Sequence, residues 1–123
     1  MKEPNGAQTV LREEQDCGST ITYPVCRIIK DGTCASFCSA FMLGRSHAEL
    51  DVGTEEEYRG HGYAKWAAAT LIAELLKRNI EPDWCTWPYR MESQMLAKAI
   101  GFEPVHDVIA YIWTEADCGK LEE

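Results

Sequence analysis

Glu49-Leu50-Asp51-Val52-Gly53-Thr54-Glu55-Glu56-Glu57-Tyr58-Arg59-Gly60-His61-Gly62-Tyr63-Ala64 runs directly into Lys65-Trp66-Ala67-Ala68-Ala69-Thr70-Leu71-Ile72-Ala73-Glu74-Leu75-Leu76, in the order strand, loop, helix. Glu49 and Asp51 fall on one face of the strand, Leu50 and Val52 on the other, as a side-chain period of two requires. Ala64, Ala67, Ala68, Leu71, Ile72, Leu75 and Leu76 recur at helical spacing and make the buried stripe of a helix over about 62–77. Between the two elements, Gly60 and Gly62 stand where the helix begins. Their backbone can bend without Cβ clashes, so several N–H groups can point outward together at the positive end of the helix dipole. With Arg59 adding a full charge, the loop reads as an anion cradle. Two glycines before a helix also occur as plain turn chemistry.

A second stretch lies downstream, Ser93-Gln94-Met95-Leu96-Ala97-Lys98-Ala99-Ile100-Gly101-Phe102-Glu103-Pro104. The two resemble motifs A and B of the GCN5-related N-acetyltransferase (GNAT) superfamily. Arg59, Gly62 and Ala64 occupy the places of R/Q-x-x-G-x-G/A after a strand and at the head of the central helix, and the second stretch resembles the ending S-x-x-L-A-x-K-x-G-F. The resemblance covers about residues 47–104, in the family's order.

It implies an α/β (α+β) fold: a mixed, mostly antiparallel sheet with a central splay between two parallel strands, and two main helices. It also implies acetyl-CoA as co-substrate. The pyrophosphate would be held by the backbone of Arg59, Gly60, His61, Gly62, Tyr63 and Ala64, and the pantetheine by the strand backbone of Val52, Gly53 and Thr54, with Ser93 nearby. Members of the family often carry a carboxylate on the strand before the loop that deprotonates the acceptor amine. Glu49 is the nearest match and Asp51 the alternative, while a solvated strand edge is the plainer reading of both. Two departures stand out. Ala97 falls where many members carry the Tyr that protonates the departing thiolate, and no segment before Thr20 fits the usual N-terminal strand and two helices.

Residues 1–18 read as a flexible lead-in, a short helix or an edge strand, with only Val10 and Leu11 to bury. From Thr20 to Ile29 the residues are β-branched and apolar, Lys30-Asp31-Gly32-Thr33 supplies an Asp-Gly turn, and a second strand follows from Cys34 to Met42. Pro24 cannot donate to a ladder, which predicts an edge strand or a bulge there. Gly44-Arg45-Ser46 turns the chain into the strand at His47 to Gly53. Beyond the first helix, Asp83 to Pro88 reads as a strand parallel to it, with Trp84 or Trp87 as a wall for the acetyl group or as core. Met91 to Ile100 reads as a second helix closed by Gly101, with Met91, Met95, Leu96, Ala99 and Ile100 apolar. Asp107 to Thr114 is the expected last strand. The single domain spans 19–115 and a polar tail 116–123.

Bulk properties narrow the function classes. A formal charge of −8, with no cluster of Lys and Arg, argues against nucleic acid. It suits a cationic small molecule or simply solvates the surface. No run is long and apolar enough to span a bilayer, and Met1 to Gly6 lacks the regions of a signal peptide, so the expected compartment is the cytoplasm and no membrane partner is expected. The six cysteines contain no C-x-x-C pair and the three histidines are scattered, which predicts reduced thiols and no metal site.

Two accounts follow. In the first the chain is an N-acetyltransferase acting on the amine of a small molecule. In the second it is a CoA-binding or assembly protein of reduced activity, which could form a homodimer with Trp113 and the last strand covering an open edge.

Overall fold

The computed structural model describes residues 6–15, 18 and 20–105. Its sheet has five strands in sequence order: β1 (Gln8–Gln15), β2 (Thr22–Lys30), β3 (Thr33–Leu43), β4 (His47–Thr54) and β5 (Glu81–Asp83). The first three pairings are antiparallel, and β4 with β5 is parallel. Helix α1 (Tyr63–Lys77) crosses from β4 to β5, and α2 (Met91–Ile100) follows. This is the mostly antiparallel α/β sheet with one parallel pair and two helices that the sequence predicts.

The hairpin β2–β3 turns on Asp31 and Gly32, whose φ angles of 52° and 74° are both left-handed. A type I′ turn needs that pair of conformations, which explains the Asp-Gly sequence. On β2, Cys26 and Ile28 point towards α1, as do Cys38 and Ala40 on β3 and Ala48 and Leu50 on β4. Ala67, Ala68, Leu71 and Leu75 of α1 meet them and are completely buried. Small Ala residues bring the helix backbone close to the sheet, and each buried Leu contributes about 1.5–3 kcal/mol. The helix stops in a Schellman motif. Asn79 is left-handed at φ 59°, Asn79 N–H donates to Leu76 O, and Ile80 N–H reaches back to Leu75 O.

One alternative is selected and several expectations are corrected. The lead-in takes the form of the edge strand: β1 pairs with β2 along its length from Gln8↔Ile29 to Gln15↔Thr22. Glu14 of this strand pairs with Arg27 of β2 and Glu13 with Arg78 at the end of α1. Trp66 of α1 donates to Thr9 of β1 at 2.6 Å. Pro24 is neither on an edge strand nor at a bulge. It lies opposite Glu13, one residue outside the β2–β3 register, which begins at Val25, and the irregularity falls at Ile28/Ile29. The parallel strand is Glu81–Asp83, ahead of the expected 83–88, because Trp84 leaves the ladder to pack against Phe102 with ring centroids 5.5 Å apart. Leu76, expected in the buried stripe of α1, is exposed, as are the apolar Met91 and Met95 of α2. The expected last strand and the tail lie outside the described residues.

Candidate functional site

The parallel ladder sets the site. It pairs His47↔Glu81, Ala48↔Pro82 and Glu49↔Asp83, and goes no further. From Leu50 to Thr54 the side of β4 that faced β5 has no strand partner among the described residues, while its other side stays paired to β3 through Ser36↔Thr54. Here the two parallel strands part. The free stretch leads through Glu55 and a 3₁₀ turn at Glu56–Tyr58 into the glycine loop.

Ser36 fixes the end of that stretch. Its hydroxyl, on a residue 1% exposed, donates to the Gly53 carbonyl at 2.9 Å and lies 2.9 Å from the Thr54 hydroxyl. Phe37 lies against Gly53 from the other face of the sheet. A Cβ at Gly53 would stand 2.6 Å from the ring, so only glycine fits beneath it. Sequence reasoning missed both residues. The available signal was Ser36 itself, a polar residue at even spacing between Cys34 and Cys38 on the core face of an apolar strand.

In the loop, Gly60 and Gly62 have φ angles of 82° and 79°, and nothing lies within 4 Å of where either Cβ would be. These glycines serve backbone conformation and open space, not close packing. Gly62 is the N-cap of α1, without a side-chain cap, and the first turn of the helix carries no acidic residue. The first turn bond is Trp66 N–H to Gly62 O, so among the described residues the N–H groups of Gly60 through Lys65 have no backbone acceptor. An uncapped helix start with a run of open amides attracts an anion.

The sequence-predicted residues divide between two places. Val52, Gly53 and Thr54 line the free edge of β4, and Arg59 to Ala64 form the loop that continues it. The Tyr63 side chain is 6% exposed and packed near Tyr58 and His61, so only its backbone faces the loop. His61 stacks on it at 5.5 Å. Arg59 is close enough to α2 for its charge to help hold the Glu92 carboxyl below the usual range, after the Glu92 backbone amide and Arg90. Ser93, in the first turn of α2, accepts a hydrogen bond from Trp84 Nε1 at 3.1 Å. Trp84 is thereby half-buried beside the core, whereas Trp87 is exposed and stacks on Tyr89.

Glu49, near the start of β4, and Asp51, at its middle, sit on the sheet face opposite α1. Glu49 is half-buried at the last parallel pair and Asp51 is exposed. Along β4, Glu49 lies about 16 Å and Asp51 about 10 Å from Thr54, where the strand ends and the chain turns towards the cradle. Cys85, two residues past Asp83, feels the Glu49 carboxylate; burial first and then that charge raise its thiol above the usual range. On the same face a shallow groove of about 230 Å³ runs across β1 to β4, with Val25 and Ser39 in its floor and Phe37, Phe41 and Asp51 on its sides. Ala97, in place of an acid-donating Tyr, is 8% exposed on the inner face of α2. Among the described residues no group of three or more His, Cys, Asp or Glu is placed to hold a metal, and no helix is long and apolar enough to cross a membrane.

Residues 26–111 match the family model described as GNAT acetyltransferase. Over 76 residues the chain is 37% identical to the uncharacterized N-acetyltransferase YdfB of Bacillus subtilis (strain 168), covering 62% of this chain and 29% of that protein. A GCN5-related N-acetyltransferase-like protein from Streptococcus suis 89/1591 superposes with a TM-score of 0.62 at 34% identity, over 66% of this chain and 32% of that one. The chain thus spans about a third of the length of these two relatives. The aminoglycoside N-acetyltransferase AAC(6')-Iy, solved in complex with CoA, shares the fold at 22% identity and a TM-score of 0.61, over 74% of this chain and 66% of its own.

Proposed function

This chain belongs to the GNAT acetyltransferase family, and from that membership we propose that it transfers the acetyl group of acetyl-CoA directly to an amine of a small molecule. The observation that carries the reading is a pair of open stretches in succession: the edge of β4 at Leu50–Thr54 with no strand partner among the described residues and, past the 3₁₀ turn, the open amides of Gly60–Lys65. The pair suits an extended donor with an amide-bearing arm and an anionic end. The backbone of Arg59 to Ala64 would hold the pyrophosphate, and Val52, Gly53 and Thr54 would pair with the pantetheine amides, with Ser93 of α2 as a further contact.

Acetyl-CoA supplies an acyl carbon made electrophilic by its thioester. On β4, Glu49 or Asp51 would take the proton that the amine must lose. A bond forms from the amine nitrogen to the acyl carbon, the carbon–sulfur bond breaks with its electron pair leaving on sulfur, and water returns a proton to the thiolate. The strand N–H groups near Val52 to Thr54 are available to the carbonyl oxygen as charge builds on it. Free thiols at Cys26, Cys34, Cys38 and Cys85 support a reducing compartment such as the cytoplasm.

One observation favours a second reading. Ala97 is buried where many GNAT proteins carry their thiolate acid, so a CoA-binding protein of reduced activity fits the same two stretches.

Calorimetric titration of acetyl-CoA into the intact chain and into Gly62→Asp tests the cradle. The expected result is micromolar binding that the variant weakens at least about tenfold, with unchanged circular dichroism. Absence of binding by the intact chain overturns both readings. Release of free thiol with a panel of amines then separates transferase from binder.

A further inference from the structure

We propose that the groove on the sheet face opposite α1 is the acceptor site, and that it takes a small primary amine carried on a single aromatic or branched apolar body. The inference rests on the acetyltransferase reading above and specifies its substrate class. Three features of the groove select that chemistry.

The first is charge. Arg27 Nη2 donates to Glu14 Oε1 at 3.0 Å and Nη1 pairs with the other carboxylate oxygen, so the groove's cation is already neutralised. Asp51 has no ion pair among the described residues. One uncompensated carboxylate remains, and it suits an ammonium group. The second feature is apolar surface. Phe41 is 46% exposed at the groove's side, Phe37 is half-buried, and Val25 closes the floor at 2%. Aromatic faces beside a carboxylate attract both the hydrocarbon body and the cationic head of such a ligand. The third is size. About 230 Å³ lies below the roughly 300–1,000 Å³ of sites that enclose drug-sized ligands, so one ring with a short arm is enough to fill it.

Position completes the case. Asp51 belongs to the Leu50–Thr54 stretch that has parted from β5. An amine held at Asp51 therefore lies beside the edge proposed to carry the thioester, approaching from the sheet face that α1 leaves uncovered.

Binding of phenethylamine, phenethyl alcohol and spermidine to the full chain, by calorimetry without acetyl-CoA, tests the inference. The expected result is phenethylamine bound about tenfold more tightly than the alcohol. Asp51→Asn should abolish that preference and leave the alcohol unaffected, while Phe41→Ala weakens both. Both side chains are exposed, and thermal melting checks that the variants fold. Equal binding of amine and alcohol, a preference that survives Asp51→Asn, or tightest binding of spermidine untouched by Phe41→Ala would overturn it. A dimer in sedimentation that Phe41→Ala dissociates would also overturn it, by making the groove an interface between copies. Acetyl-CoA binding with no amine binding sinks this inference alone. Amine binding with no acetyl-CoA binding keeps the groove as an amine site and sinks the transferase reading.

Discussion

The hydroxyls of Ser36 and Thr54 lie 2.9 Å apart, and because Ser36 spends its one proton on the Gly53 carbonyl, Thr54 must be the donor between them. The chain of two bonds fastens the free end of β4 to β3. Ser36→Ala leaves two half-buried groups, the Gly53 carbonyl and the Thr54 hydroxyl, short of a partner. It should cost about 1–3 kcal/mol in urea unfolding and weaken acetyl-CoA binding, since the edge it anchors is the proposed pantetheine track. Unchanged affinity in a folded variant would separate the anchor from the track.

Gly53→Ala places a methyl group 2.6 Å from the Phe37 ring. Either the ring rotates or β4 shifts, and overpacking of this kind costs about 1–3 kcal/mol. Replacing Phe37 with Leu in the same chain should recover part of the loss. A double-mutant cycle by chemical denaturation reads the recovery.

Alkaline pH should destabilise the fold. Burial pushes the Cys26 thiol up to about 11 from an ordinary value of 9.0, and burial followed by the neighbouring Cys26 and Asp51 raises Cys38, directly opposite on β3. A raised thiol means that the folded state holds its proton more tightly. The associated stability is complete below about pH 9 and is lost as pH climbs towards 11. Urea midpoints across that window should fall, and fall less steeply in Cys26→Ala.

Trp66→Phe removes the 2.6 Å bond to Thr9 while keeping most of the ring. A loss of about 1 kcal/mol is expected, together with faster amide exchange along β1, which α1 holds chiefly by this bond and the Glu13–Arg78 pair. Exchange unchanged in β1 would show that the ladder to β2 suffices.

Ala97→Tyr should lower stability without raising the rate of thiol release. The position is 8% exposed on the inner face of α2, and a phenol there overfills a packed site. A faster rate in a stable variant would show that the helix can turn to present it.

The hairpin, the β4–loop–α1 unit and α2 were legible because each carries local chemistry. Asp31-Gly32 specifies the turn, Gly60 and Gly62 the loop, and Gly101 the end of α2, with Phe102 folding back on Trp84. What escaped depends on partners distant in sequence. β1 holds few apolar residues and is recruited by Arg27, Trp66 and Arg78, none of which marks it locally. The shortened β5 reflects the pull of α2 on Trp84. In the site, the loop could be read from its glycines. The groove could not, because Glu14, Arg27, Phe41 and Asp51 come from four strands and meet only through register.

An open strand edge usually lies at the rim of a sheet, where charge or a bulge can guard it. Here it opens at Leu50–Thr54, just past the last pair of a strand that has a parallel partner a few residues earlier. Such a gap accepts any extended chain of suitable length, including a segment of another unfolded protein. On the proposed function the donor is also the guard. Each bound molecule closes the gap, and at a hundred times its Kd it would add about 2.7 kcal/mol to the folded state. The protein's resistance to aggregation and proteolysis would then rise and fall with the supply of acetyl-CoA around it.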